Sequence, residues 1–443
     1  MHNLLARNIT FAGTLRFTGP TILMMLFMSI YTMVDGIFVS RFVGTGALSA
    51  VNIVYPVINI VIAIAIMLST GGSAVIAKQM GEGKPLPARR NFSMIVYIGI
   101  MIGITIMILG LFFIDPILRF LGANDAVYSY CYDYAFLLIL FVPCGIMQML
   151  FQSFFITAGK PTVGMIATFA GGIANILLDY LFIAVFKWGI SGAALATGIG
   201  YSIPGFFGLF YFIFNRKGSL FLTKTKWDGK TVFRICLNGS SEMVTNLSVA
   251  VTTFLFNIMM MRLLGENGVA AITIILYTQY LMNAVFLGYS GGVAPLFSYN
   301  YGAQGIAQLK KLLRYSLIFV GITSIAVFMI SIFGAGYIVA IFAPPGSMVF
   351  DVADRGMLLF SFAFLVMGFN IFVSSLFTAL NNGKISALLS FLRTFLFISA
   401  MILILPNFLG VDGIWLALPI AEGCAFVFSF VFLLKKRTQY HYC

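Results

Sequence analysis

The sequence predicts an all-α membrane protein with twelve transmembrane helices in two six-helix lobes related by an internal repeat. Three observations predict it. Of the 443 residues 61% are hydrophobic and only 9% charged, with a mean hydropathy of +1.03, whereas soluble domains carry about 25% charged residues. A soluble fold is excluded, because a water-facing surface cannot be built from so few charges and a lipid-facing one needs almost none. At roughly 20 apolar residues per span, the length accommodates a dozen spans, and the second half of the chain repeats marks of the first at a nearly fixed spacing.

The spans follow in order from apolar runs broken by Gly, Pro, Asn and charged clusters. The first, 17–40, follows Arg7 and Arg16. Its apolar run exceeds a signal-peptide core and no cleavable small-residue site follows, so it is read as retained. The second, 47–70, comes after Arg41-Phe-Val-Gly44; the third and fourth, 92–114 and 127–155, lie between the basic cluster ending at Arg90 and Lys160. The fifth and sixth, 162–186 and 190–214, part at Lys187. A basic stretch from Arg216 to Arg234, containing Trp227 and Asp228, precedes 232–262, and Arg262-Leu-Leu-Gly265 separates that span from 268–290. The last four are 311–335, 354–380, 385–405 and 411–434.

The net charge of +13 is explained by topology. With the N-terminus in the cytoplasm, 21 of the 26 Lys and Arg, Arg393 among them, fall on cytoplasmic faces. Arg41, Arg119, Lys187, Arg262 and Arg355 fall on the other. This positive-inside bias places both termini in the cytoplasm and requires an even number of spans, and it leaves no reason to invoke nucleic acid. The five cysteines (Cys131, Cys144, Cys236, Cys424, Cys443) are scattered, and His2 and His441 are the only histidines. They suggest no disulfide framework and no zinc or haem site. There is no Walker A motif, which argues against ATP-driven work within this chain.

The repeat is specific. Arg41-Phe-Val-Gly44 with Ala50 recurs as Arg262-Leu-Leu-Gly265 with Ala271, and Gly81 recurs as Gly302, all 221 residues on. Gly189-x-x-Gly192-x-x-x-Ala196 recurs as Gly410-x-x-Gly413-x-x-x-Ala417 at 221, and Gly159-Lys160 as Gly383-Lys384 at 224. The predicted domains are an N-lobe over 1–217, a cytoplasmic linker over 218–231 and a C-lobe over 232–443. Two six-span repeats share one orientation, with an axis along the membrane normal and a central cavity between them; the alternative is duplication that merely enlarged a bundle.

Acids at membrane depth cost roughly 2.5–3.5 kcal/mol on insertion scales and are functional candidates. Asp35 lies in Tyr31-Thr-Met-Val-Asp35-Gly in the first span, Asp179 in the fifth, Glu242 in the seventh and Glu422 in the twelfth. Asn175 and Asp179, like Tyr31 and Asp35, are four residues apart and share a helix face. If the two spans are neighbours, they form one pocket in which a carboxylate is protonated or paired with a cation. The alternative is inter-helix hydrogen bonding. At 221 residues Asp35 maps to Phe256, and Asp179 maps to Ala400, or to Leu403 at 224. Neither acid is copied, as suits a site needed once. Glu242 maps back to Thr21, and is either a second protonation site or an interfacial Glu; Glu422 is read as packing. The 23 Met and 47 Phe suffice to line a compliant cavity for apolar guests.

Over essentially its whole length the chain resembles the multidrug and toxic-compound extrusion (MATE) family, prokaryotic type. The marks are Pro20 and Asp35, the Asn175-x-x-x-Asp179 pair, the Gly189-to-Thr197 segment, and Pro-Leu-Phe-Ser-Tyr-Asn-Tyr-Gly ending at Gly302. The resemblance implies an ion-coupling site for H+ or Na+ at Asp35, Asn175, Asp179 and Thr197, with Tyr134 beside it and Pro20 allowing the first helix to bend. It implies no other metal, no cofactor and no enzymatic activity. Two departures stand out: Tyr180 follows Asp179 where the family commonly has Pro, and Ser240-Ser241-Glu242 lacks the proline common in the seventh helix.

The resemblance implies a monomeric antiporter of the cell (inner) membrane, among membrane lipids. It would export amphipathic or cationic drugs and toxic organic compounds in exchange for H+ or Na+. A flippase or exporter of lipid-linked sugars from the same superfamily is the nearest rival; it would need cavity cations, and the Lys and Arg map to loops or helix ends, Arg393 excepted. An intramembrane aspartyl protease would need Gly-x-Gly-Asp, which is absent. A passive channel would ignore an imposed ion gradient.

Overall fold

The structure is a computed structural model that describes Leu5 and residues 8–442. His2, Arg7 and Cys443, which enter the sequence readings, lie outside the described residues. Helix α1 (Phe11–Phe38) starts at Thr10, whose hydroxyl accepts from Gly13 N at 3.1 Å, and runs into a wide π turn, Val39–Val43. Gly44, at φ 111°, turns the chain into α2 (Thr45–Gly81). Then come α3 (Pro85–Phe112), the short α4 (Ile114–Phe120), and α5 (Tyr128–Leu140) and α6 (Val142–Thr157), bent by 52° beside Pro143. Helix α7 (Pro161–Asp179) ends in a π turn, Tyr180–Val185, and α8 (Gly189–Phe214) closes the first half.

The second half opens with α9 (Gly229–Gly302), 74 residues long. A straight helix of that length would measure about 110 Å against about 30 Å of hydrocarbon, so it must be two spans. Gly265, at φ 63° and ψ −147°, breaks it. Next are α10 (Ile306–Phe333), α11 (Ala335–Ala340), α12 (Met348–Phe360), which passes through a tight turn into α13 (Phe364–Ala379), and α14 (Gly383–Phe391). A π turn, Leu392–Phe397, joins α14 to α15 (Ile398–Ile404) and α16 (Pro406–Leu409). Helices α17 (Val411–Lys435) and α18 (Arg437–Tyr440) finish the chain. Among the described residues ten helices are long and apolar enough to cross a membrane. The bent α5–α6 pair makes an eleventh span and the break in α9 a twelfth, the predicted number.

Two helices overrun their predicted ends. The second continues from 70 to Gly81 and the eighth from 290 to Gly302, because Gly71 and Gly292, which read as breakers, are helical residues packed against other helices. The repeat is visible in the backbone: left-handed turns occur at Gly44 and Gly265, Gly83 and Gln304, and Gly189 and Gly410, 221 apart, and at Gly122 and Gly346, 224 apart. Arg393 departs from the sequence reading. It was assigned to a cytoplasmic face, but it sits in the π turn after α14 with its side chain 12% exposed and bonded to buried Glu422.

The four apolar cores show how the lobes meet. One draws only on residues of the first half, including Val39, Ala50, Leu138 and Ala194, and another only on the second, including Phe256, Ile275, Phe360 and Trp415. The other two mix the halves. Ile9, Phe17, Met24 and Ile156 join Phe297, Leu312, Phe377 and Tyr440 in one, and Ile235 joins Phe92, Leu150 and Phe154 in the other. The shared cores lie at the end that carries both chain termini and the 215–228 connection, here called the terminal end. There Ile9 N donates to Gln308 Oε1 at 3.0 Å, tying the segment before α1 to α10. The connection is pinned to α3 by Thr223 N donating to Ser93 Oγ (2.9 Å) and Arg89 Nε donating to Ser219 O (3.0 Å). Asp228 caps α9, and the Thr231 hydroxyl bonded to it holds its carboxyl below the usual range.

Candidate functional site

Helices α1 and α7 are neighbours, which is what the two four-residue spacings require. Asp179, the last residue of α7, is fully buried; Asp35 of α1 is half-buried, with Oδ1 sealed from solvent. Their carboxyls lie within hydrogen-bonding reach of each other. No donor reaches either Asp179 oxygen or Asp35 Oδ1, and Asn175, one turn earlier on α7, has neither its Nδ2 nor its Oδ1 partnered. With Gln148 Oε1, these are six of fourteen unpartnered buried side-chain atoms among the described residues, and no other lies in the first half. Buried polar groups are nearly always satisfied, so these orphans on α1, α6 and α7 single out the candidate site.

The pocket exists because glycines let three helices converge. A Cβ on Gly172 would stand 2.4 Å from the Phe27 ring of α1, and one on Gly171 would stand 2.5 Å from Gly200 O of α8. The resulting small cavity is lined by Tyr31, Gln148, Asn175, Thr197, Gly200 and Tyr201 among others. Thr197 Oγ1 donates to Ala193 O at 3.0 Å, which leaves its lone pairs free. Tyr134 of α5 is buried and interacts electrostatically with both acids, but is not among the residues of the wall. Asp35 and Asp179 are likewise not among the wall residues; Asn175 and Thr197, which line the cavity, offer hard oxygen donors of the kind that suits a proton or an alkali cation.

Tyr201 and Gln148 escaped the sequence reading. A Tyr or Gln in an apolar helix is not distinctive, although Tyr201 stands 221 residues before Glu422 and so occupies its repeat position. Tyr201 also borders a second, almost wholly apolar cavity of about 40 Å³ whose wall includes Val61, Leu138, Phe141 and Met149. Polar and apolar cavities thus meet at one side chain.

The remaining candidates lie elsewhere. Pro20 is inside continuous α1, fifteen residues or about 22 Å along it from Asp35, away from the pocket wall. Glu242 lies in the second half, half-buried, and interacts with Arg393, not with the Asp pair. Glu422, read from sequence as packing, accepts from Arg393 Nε at 2.8 Å and from Asn370 Nδ2 at 2.7 Å. The absence of proline after Asp179 does not leave α7 regular, because the π turn supplies the distortion. Around Ser240–Glu242 the backbone of α9 is helical throughout.

The MatE family profile matches residues 20–181 and again 243–403, once in each half. The multidrug export protein MepA of Staphylococcus saprophyticus is 22% identical over 440 residues, covering 97% of this chain and 95% of that protein. MepA of Staphylococcus haemolyticus is 24% identical, with 96% and 94% covered. The solved outward-facing structure of a multidrug resistance MATE family transporter of the MOP superfamily superposes with a TM-score of 0.93 at 22% identity over 99% of both chains. With the family pattern matched in both halves around the same twelve-span fold, the chain belongs to the MatE family, multidrug and toxic-compound extrusion.

Proposed function

We propose that the protein is a secondary antiporter of the cell membrane. It exports amphipathic or cationic drugs and toxic organic compounds in exchange for an inward ion bound at Asp35 and Asp179. The observation that carries this reading is the donor-less contact of the two carboxyls. Two carboxylates side by side in a low dielectric repel strongly, so the arrangement calls for one shared proton, or for a cation that neutralises both. The proton is the simpler occupant, because it bridges two carboxyls without needing further ligands. Asn175 and Thr197 position the pair, and Tyr134 packs beside it. The names of the staphylococcal relatives support multidrug export.

An ion can drive a conformational change only by binding one state better than the other. A shared proton holds α1 against α7. Its loss sets two like charges against each other and loosens that contact. The half-buried guanidinium of the second half does not favour the lipid-linked-sugar reading, because Arg393 is bonded to Glu422. Substrate efflux from proteoliposomes under separately imposed pH and sodium gradients tests the proposal. Efflux driven by the pH gradient alone is expected; efflux driven only by sodium would replace the ion, and efflux indifferent to both would refute antiport.

A further inference from the structure

At the terminal end the lobes touch backbone to backbone. A Cβ on Gly81 of α2 would stand 2.0 Å from Tyr299 O of α9, and a Cβ on Gly302 of α9 would stand 2.1 Å from Lys78 O of α2. The 221-residue repeat carries Gly81 onto Gly302 and Lys78 onto Tyr299. These are therefore one contact seen from both sides of a two-fold axis, with a Cα–H of each glycine directed at a carbonyl oxygen. A second reciprocal pair flanks it: a Cβ on Gly71 would stand 2.1 Å from Ile235 O, and one on Gly239 would stand 1.9 Å from Met67 O. On the opposite flank Gly292, the counterpart of Gly71, would place a Cβ 2.2 Å from Thr21 Oγ1 of α1. The other end differs. Gly44 and Gly265, also repeat counterparts, have nothing within 4 Å of a built Cβ, and the two cores near them are confined to one lobe each.

We propose that Gly81 and Gly302, flanked by Gly71, Gly239 and Gly292, form a two-fold clasp that holds the two lobes together at the terminal end and must part when the lobes separate there. Small residues let membrane helices cross at close range without interlocking side chains. At the glycine pair itself the junction separates without rotamer rearrangement, as a reversible gate needs, and the two shared apolar cores beside it part in the same movement. It also admits no side chain: any Cβ at the central pair falls about 1 Å inside contact distance and has only backbone to push against, so it must drive α2 and α9 apart.

The test uses the full chain in lipid nanodiscs, with spin labels replacing exposed Lys160 and Lys384, repeat counterparts at the terminal-end starts of α7 and α14. Distances between the labels are read without substrate, so the result does not depend on the antiport reading. Gly81→Val and Gly302→Val should each move the main distance to longer values, and by similar amounts, because the two contacts are equivalent. Gly321→Val, at a helical glycine with open space around it, should leave the distance unchanged. Gly81→Ala and Gly302→Ala should shift it less in the same direction, and they decide the matter if the valine variants fail to insert. Unchanged distances in the clasp variants, or a shift for only one of the two glycines, would overturn the proposal.

Discussion

Single residues carried the site, and their legibility followed from cost. A carboxylate at membrane depth is expensive enough to be noticed, so Asp35, Asp179 and their helical neighbours Tyr31 and Asn175 were visible as a constellation before any fold was known. Tyr201 and Gln148 were invisible, because their importance lies in where α6 and α8 place them beside the pocket. The Arg393–Glu422 pair was half-legible: both charges were evident, but their contact spans 29 residues and two helices. Breaking such a buried pair from one side leaves an uncompensated charge and typically costs about 3–5 kcal/mol, whereas an apolar replacement of both is often neutral. Arg393→Met should therefore lower the thermal unfolding temperature in detergent markedly, and the double variant Arg393→Met/Glu422→Met should recover most of the loss. Equal destabilisation in the single and double variants would show that the pair contributes through something other than mutual neutralisation.

Helices were legible where their breaks were chemical and obscure where packing overruled local preference. Gly44, Gly189 and Gly410 marked turns as glycine usually does, yet Gly71 and Gly292 stayed helical because neighbouring helices occupy the space a side chain would need. The π turn after Asp179 could not be read, since the sequence there lacks the proline that would have announced a distortion. Gly265 separates these influences. Its dihedrals, φ 63° and ψ −147°, are open to glycine and strained for any other residue, and such strain costs about 1–3 kcal/mol. Gly265→Ala should destabilise by that order, measured by thermal unfolding. Gly423→Ala, at a helical position with nothing within 4 Å of the new Cβ, should be neutral or stabilising by about 0.5–1 kcal/mol. A neutral Gly265→Ala would mean that the break in α9 is not held by that backbone conformation.

At the scale of the whole molecule the duplication was the strongest signal in the sequence, and the paired turns and the twice-matched family profile agree with it. How the halves meet was not legible: a repeat gives the symmetry of two lobes but not which end they share. Among the described residues, with Arg393 removed from the count, nineteen Lys and Arg still lie on the terminal side and five on the other, so the terminal end should face the cytoplasm. A cysteine placed at Trp227, 73% exposed, should be labelled only from the cytoplasmic side, and one placed near Asp412 only from outside. Labelling of position 227 from outside in intact cells would invert the topology.

If Asp35 and Asp179 hold an exchangeable proton that substrate displaces, linkage makes the exchange directly measurable: where protonation weakens substrate binding, substrate must weaken proton binding by the same factor. The measurement is proton release on adding an exported cationic substrate to purified protein in weak buffer, compared with Asp179→Asn, which keeps the size of the side chain and removes its titratable group. Release is expected from the unaltered protein and is lost in the variant, with substrate still bound. Undiminished release from Asp179→Asn, or substrate binding that displaces no proton from the unaltered protein, would contradict it.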